Sequence, residues 1–142
     1  MFDLVNLVPA TDGAALWLRM STNGGASFAA GTAYYWTAFS HHESANGNNG
    51  ATGQAQIVVH YGQAAASDDS LNGSIKLYHP LGARTKAIDG RLCARYAAAD
   101  AHMLQWSVAG FYRNVTAVNA IRFLNSTGNI ASGTIRMYGM AK

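Results

Sequence analysis

Leu16-Trp17-Leu18-Arg19-Met20, followed at once by Ser21-Thr22-Asn23-Gly24-Gly25, decides how this chain is read. Leu16, Leu18 and Met20 alternate with Trp17 and Arg19, which is the period-two signature of a strand with one apolar face. The Ser/Thr/Asn/Gly run that follows is turn chemistry and stops the strand. The same pattern recurs on either side. Phe2 to Val8 supplies a strand ended by Pro9, and Tyr34-Tyr35-Trp36-Thr37-Ala38-Phe39 suits a pleated surface. Gln56 to Tyr61 is β-branched. Ile75 and Leu77 alternate with Ser74, Lys76 and Tyr78. Leu92, Ala94 and Tyr96 alternate with Arg91, Cys93 and Arg95. Leu104, Trp106 and Val108 alternate with Met103, Gln105 and Ser107. Ile121 and Phe123 flank Arg122, and Ile135 and Met137 flank Arg136.

Short strands at near-regular spacing with Gly/Asn/Ser turns indicate a sandwich or barrel. The expected fold is all-β: a two-sheet antiparallel β-sandwich, jelly-roll-like, forming a single domain over 1–142. Ala64–Ala66 and Ala97–Ala101 are each long enough for one helical turn, but neither carries the apolar stripe of a core helix. Ser40 to Gly53 has no hydrophobic pattern and reads as a long loop between strands, the kind that is often functional.

Composition narrows the function. Hydrophobic residues are 49% of the 142, enough for a core, while charged residues are only 12% against about 25% in typical domains. So uncharged a surface suggests that part of it is covered in a homo-oligomer. Ten basic against seven acidic residues give +3 without a Lys/Arg cluster, so nucleic acid is not an expected partner. A single cysteine excludes an internal disulfide or a multi-Cys zinc site. Met1-Phe2-Asp3-Leu4 lacks the basic start of a signal peptide. No apolar run approaches the roughly 18 residues of a membrane span, so no membrane insertion is expected.

Two segments carry a resemblance. Asn6-Leu7-Val8-Pro9-Ala10-Thr11-Asp12-Gly13-Ala14, continued by Leu16 to Gly25, resembles the opening of a β-sandwich domain found at the C-terminus of bacteriophage tail-fibre and other virion proteins. Thr116-Ala117-Val118-Asn119-Ala120-Ile121-Arg122-Phe123, and Gly128-Asn129-Ile130-Ala131-Ser132-Gly133-Thr134-Ile135-Arg136-Met137-Tyr138-Gly139, resemble its closing motifs. The stretch from about Tyr34 to Gly90 matches loosely. The resemblance implies a projecting sandwich with no cofactor and no catalytic residues. It also implies a long upstream shaft, whereas Met1 here lies almost at the motif. The expectation is therefore either a small free-standing virion protein or an excised domain, and the missing shaft weakens the fibre reading and strengthens a decoration one.

Candidate chemistry is sparse. His41-His42-Glu43 is the densest group of metal-ligating types, but adjacent strand residues point to opposite faces, so the two imidazoles would not share an ion and no metal is expected. Asp12, Asp68, Asp69, Asp89 and Asp100 sit in turn-like contexts, where Asp is ordinary, and no pair of them marks a glycosidase. Cys93, between Arg91 and Arg95, reads as a small inert strand residue. Asn72, Asn114 and Asn125 open glycosylation sequons that carry no weight without a secretory signal. Gly73 to Tyr78 echoes Gly133 to Tyr138, a convergence any half-buried strand can reach.

Outward aromatics remain as the candidate contact set: Trp17, Tyr34, Tyr35, Trp36, Tyr78 and Tyr138, with His41 and His42 in the long loop. A flat apolar face with a polar edge suits subunit burial or stacking on a sugar ring. The expected function is a non-enzymatic virion structural protein of attachment type. Its partners would be other virion proteins, copies of itself in a homotrimer, and a host surface polysaccharide. A capsid decoration or cement protein is the alternative, and a hydrolase ranks third.

Overall fold

The structure is a computed structural model that describes residues 1–43, 45–66, 69–97 and 102–139. Asp68, Asp100 and most of the Ala97–Ala101 stretch lie outside the described residues. The chain forms ten strands: β1 (Phe2–Pro9), β2 (Ala14–Ser21), β3 (Tyr34–His42), β4 (Ala45–Gln54), β5 (Ile57–Gln63), β6 (Leu71–Tyr78), β7 (Lys86–Arg95), β8 (Met103–Tyr112), β9 (Ala120–Asn125) and β10 (Ile130–Met137). They make two antiparallel sheets. The large sheet runs β10-β1-β6-β7-β8-β3-β4 and the small one β5-β2-β9. Long-range pairing is nested, β1 with β10, β2 with β9 and β3 with β8. This gives the sandwich its jelly-roll-like character.

Period-two alternation assigns the faces. In β7, Lys86, Ile88, Gly90, Leu92 and Ala94 point inward, and Ala87, Asp89, Arg91, Cys93 and Arg95 point out. In β8, Leu104, Trp106, Val108 and Tyr112 are buried. They meet Leu16, Leu18 and Met20 of β2 and Ile57 and Val59 of β5 in one core. Phe2 of β1 meets Phe123 of β9 edge to face at 5.5 Å, closing the opposite side.

Three expectations change. Ser40 to Gly53 is not a loop: β3 continues to His42, and β4 pairs with it along its length, from Tyr34↔Gln54 to His42↔Ala45. The segment lacks an apolar pattern because β4 is an edge strand whose side chains cover no core; it is held by the backbone ladder to β3 and by the Thr37 and Ser40 hydroxyls, which donate to the Asn49 and Gly47 carbonyls. Glycine lets it lie close: a Cβ on Gly50 would stand 3.0 Å from the Trp36 carbonyl oxygen. Second, Ala64–Ala66 forms no helical turn; Ala64 donates its N–H to the Arg95 carbonyl instead. Third, Ile135 and Met137 are not buried. They share the inward register of Leu4 and Phe2, but Met137 is 77% exposed because the small sheet does not extend over β10.

The echoing segments are the two neighbours of β1. Leu4 faces Gly73 on one side, and Gly133 approaches its bulge on the other. Both glycines are required there. Gly133 (φ 114) would place a Cβ 2.5 Å from the Asn6 carbonyl oxygen, and Gly73 (φ 149) one 2.3 Å from that of Arg91.

Lys86 and His60 are the two bulkiest of the buried polar residues, both fully buried. The Lys86 side chain is fully buried, and its ammonium donates to the carbonyl oxygens of Gly82 (2.6 Å), Arg84 (2.6 Å) and Val115 (3.2 Å). It thereby joins the loop after β6 to the loop after β8. Lys86→Met should leave these carbonyls unpaired and cost about 2–4 kcal/mol, read as a lowered urea midpoint with an unchanged m-value.

His60 is fully buried beside Trp106, with ring centroids 6.0 Å apart. Neither ring nitrogen has a hydrogen bond of normal geometry among the described residues. Burial pushes its pKa from 6.5 down to about 4, with the Leu104 backbone opposing. Between those values the unfolded chain binds a proton that the folded chain refuses, so stability falls as pH drops from 6.5 and levels off below 4. The expected loss is about 3 kcal/mol. Chemical denaturation at pH 7 and pH 4 should show His60→Leu lacking that part of the acid sensitivity.

Candidate functional site

The outer face of the large sheet is uncovered, and strand register builds rows across it. Tyr78, Ala87, Phe111 and Tyr35 form one row from β6 through β7 and β8 to β3. Lys76, Asp89, Ala109 and Thr37 form the next, and Ser74, Arg91, Ser107 and Phe39 the one after. Tyr35 and Phe111, directly opposite each other, stack at 5.1 Å with planes 6° apart. Arg113 lies over the Tyr35 ring at 5.4 Å and donates to its hydroxyl at 2.8 Å. The phenol is thus pinned in place, which lowers the entropy it would lose on contact with a ligand.

Small side chains follow the aromatic pair. Thr37, Ala51, Thr52, Ala87 and Ala109 line a shallow depression of about 430 Å³ beside the Tyr35–Phe111 stack. A polar hollow of about 300 Å³ adjoins it, lined by Ser74, Lys76, Asp89, Arg91 and Ser107. Arg91 donates to the Gln105 side-chain oxygen at 3.1 Å. An apolar platform beside mixed donors and acceptors can hold a sugar ring by its face and its hydroxyls together.

The contact residues expected from sequence divide. Tyr35, Tyr78 and His41 project from this face, Tyr78 at 44% exposure. Tyr138 is exposed just beyond β10. Tyr34 is not a surface residue. It is completely buried, stacked on Tyr112 at 4.9 Å, and its hydroxyl accepts the Met20 N–H at 2.7 Å. Burial raises its pKa to about 12, so it stays a neutral phenol. Trp36 has the same inward parity and packs against the core. Trp17 is half-buried on the back of the small sheet, with the Arg19 guanidinium 6.0 Å from its ring. Sequence reasoning passed over Phe39 and Phe111, although the alternation that buries Trp106 and Val108 also turns Phe111 outward.

The histidines split as strand geometry requires. His41 faces out and pairs with the Asn46 side chain, and His42 has the opposite parity. His102, just before β8, brings a second imidazole beside His42: their rings stack at 5.3 Å. Glu43 Oε1 lies 2.6 Å from His102 Nδ1. The Glu43 backbone N–H, and then His102, hold that carboxyl below its usual range. His42, Glu43 and His102 offer ligand atoms that all lie within 4.8 Å of one another, the one such group among the described residues. Nothing in the sequence joins residues so far apart; only the β3–β8 pairing does.

The acids do other work. Asp69 is buried and pairs with Arg95 at 3.1 Å, and Asp12 accepts the Ala65 N–H at 2.9 Å. Asp89 stands opposite Lys76 in the polar row. Cys93 is an exposed free thiol on the outer face, between the rows of Arg91 and Arg95. No family model matches the chain, and comparison with curated proteins and solved structures found no match either.

Proposed function

We propose that this chain is a non-enzymatic bacteriophage virion protein of attachment type, which holds a host surface glycan against the outer face of its large sheet. The observation that carries this reading is the Tyr35–Phe111 stack, fixed by Arg113 and set beside the Lys76–Asp89–Arg91 hollow. Phe111 is exposed and Tyr35 half-buried, both on the outer face with no core to cover, and such a pre-ordered pair suits contact with a sugar ring. The resemblance of both ends of the chain to tail-fibre-type sandwiches supports the virion setting. Each contact would be weak, and display of several copies, as in a homotrimer, would multiply it.

Tyr35→Ala and Phe111→Ala should each weaken binding to a responsive polysaccharide by about 3–10-fold per site. Trp17→Ala, on the other sheet, should leave it unchanged. Surface plasmon resonance on immobilised host polysaccharides reads both. A wild-type protein silent at high copy density, or a Tyr35→Ala protein that binds as well as wild type, would refute the reading.

One observation favours capsid decoration as a second reading. Inward-facing Ile135 and Met137 are left uncovered by the small sheet. Met137 lines an apolar groove of about 500 Å³ together with Met1, Phe2, Leu77, Leu81 and Tyr138. A neighbouring virion protein seated there would bury it. In that case Met137→Asp should release the protein from particles and lower their heat resistance, with the isolated domain's melting temperature unchanged.

A further inference from the structure

We propose that His42, Glu43 and His102 form a binding site for a divalent transition-metal ion of the zinc type. The three come from two places in the chain: His42 ends β3 with Glu43 next to it in the turn, and His102 precedes β8. The antiparallel β3–β8 ladder sets His41 opposite Gln105. Continued to the end of the sheet, it brings His42 and His102 diagonally together on one side, with their rings stacked at 5.3 Å. Glu43 reaches them from the turn.

The donor set is chemically specific. Two imidazole nitrogens and one carboxylate oxygen, all within 4.8 Å, suit zinc, cobalt, nickel or copper and not the all-oxygen shells of calcium or magnesium. Bonds of about 2.0–2.2 Å place tetrahedral ligand atoms about 3.4 Å apart. Glu43 and His102 share a hydrogen bond at 2.6 Å, so an ion would take the place of the proton between them as the two atoms move apart by somewhat under about 1 Å. His102 and Glu43 are partly open to solvent, 29% and 56% exposed, so an ion can enter and water can fill its remaining position. His41 is excluded because it lies on the other face, paired with Asn46. The bound ion would tie the β3–β4 turn to the start of β8, at the end of the sandwich where β4 is an edge strand without a core face.

Isothermal titration of the whole protein with zinc chloride at neutral pH tests this. The expected result is one ion per chain, with at least a tenfold loss of affinity in His42→Ala, His102→Ala and Glu43→Gln and no change in His41→Gln. At a hundredfold excess of zinc over its dissociation constant, the melting temperature of wild type should rise by roughly 5–10 °C, and that of His102→Ala should not. Circular dichroism confirms that the variants fold. Binding of less than half an equivalent by wild type, or equal affinity in folded His102→Ala, would overturn the site. Neither result touches the glycan face, which is read separately with metal-free protein.

Discussion

A mismatch in width governs this molecule. The inner face of the large sheet is wider than the small sheet that covers it. Where β5, β2 and β9 lie overhead, the alternation of β7 and β8 closes into a core around Trp106, Leu92 and Leu18. Beyond their reach, at β10, the same alternation continues without cover and leaves Met137 in water. On the far flank, β4 carries no apolar residue larger than alanine. Burial is a property of what lies opposite a side chain, and strand periodicity supplies only half of it.

That distinction explains what could be read from the sequence. Strands with a strict apolar alternation, such as β2, β7 and β8, were legible because each must hide one face. β4 was not, because Ala-Asn-Gly-Asn-Asn-Gly is held by hydrogen bonds to β3 and carries no burial signal. Ile135 and Met137 showed the right period, but no local feature reports the width of the opposing sheet. Tyr34, Tyr35 and Trp36 illustrate the same limit: consecutive aromatics guarantee that one turns outward, and parity identifies Tyr35 only once the inward partner Tyr112 is known.

The sites follow the same logic. Outward aromatics at Tyr35 and Tyr78 could be listed from the sequence, but their arrangement into rows with Phe111, Lys76 and Asp89 depends on register between strands far apart in the chain. His42 and Glu43 were visible as neighbours. His102 lies 59 residues from Glu43, and only the β3–β8 pairing makes them a cluster. The interior adds a contrasting pair of polar residues. Lys86 is buried with three carbonyl partners and ties two loops, whereas His60 is buried without normal hydrogen bonding among the described residues and makes the core sensitive to acid.

The lone thiol of Cys93 has a practical consequence. It stands in a regular strand on the exposed face, its neighbours across the ladder are Asn72 and Gln105, and the chain has no other cysteine. A maleimide dye would therefore attach at one defined place, a few rows from the Tyr35–Phe111 platform, without entering the interior. The molecule carries its own labelling handle, and fluorescence from it would register whatever settles onto that surface.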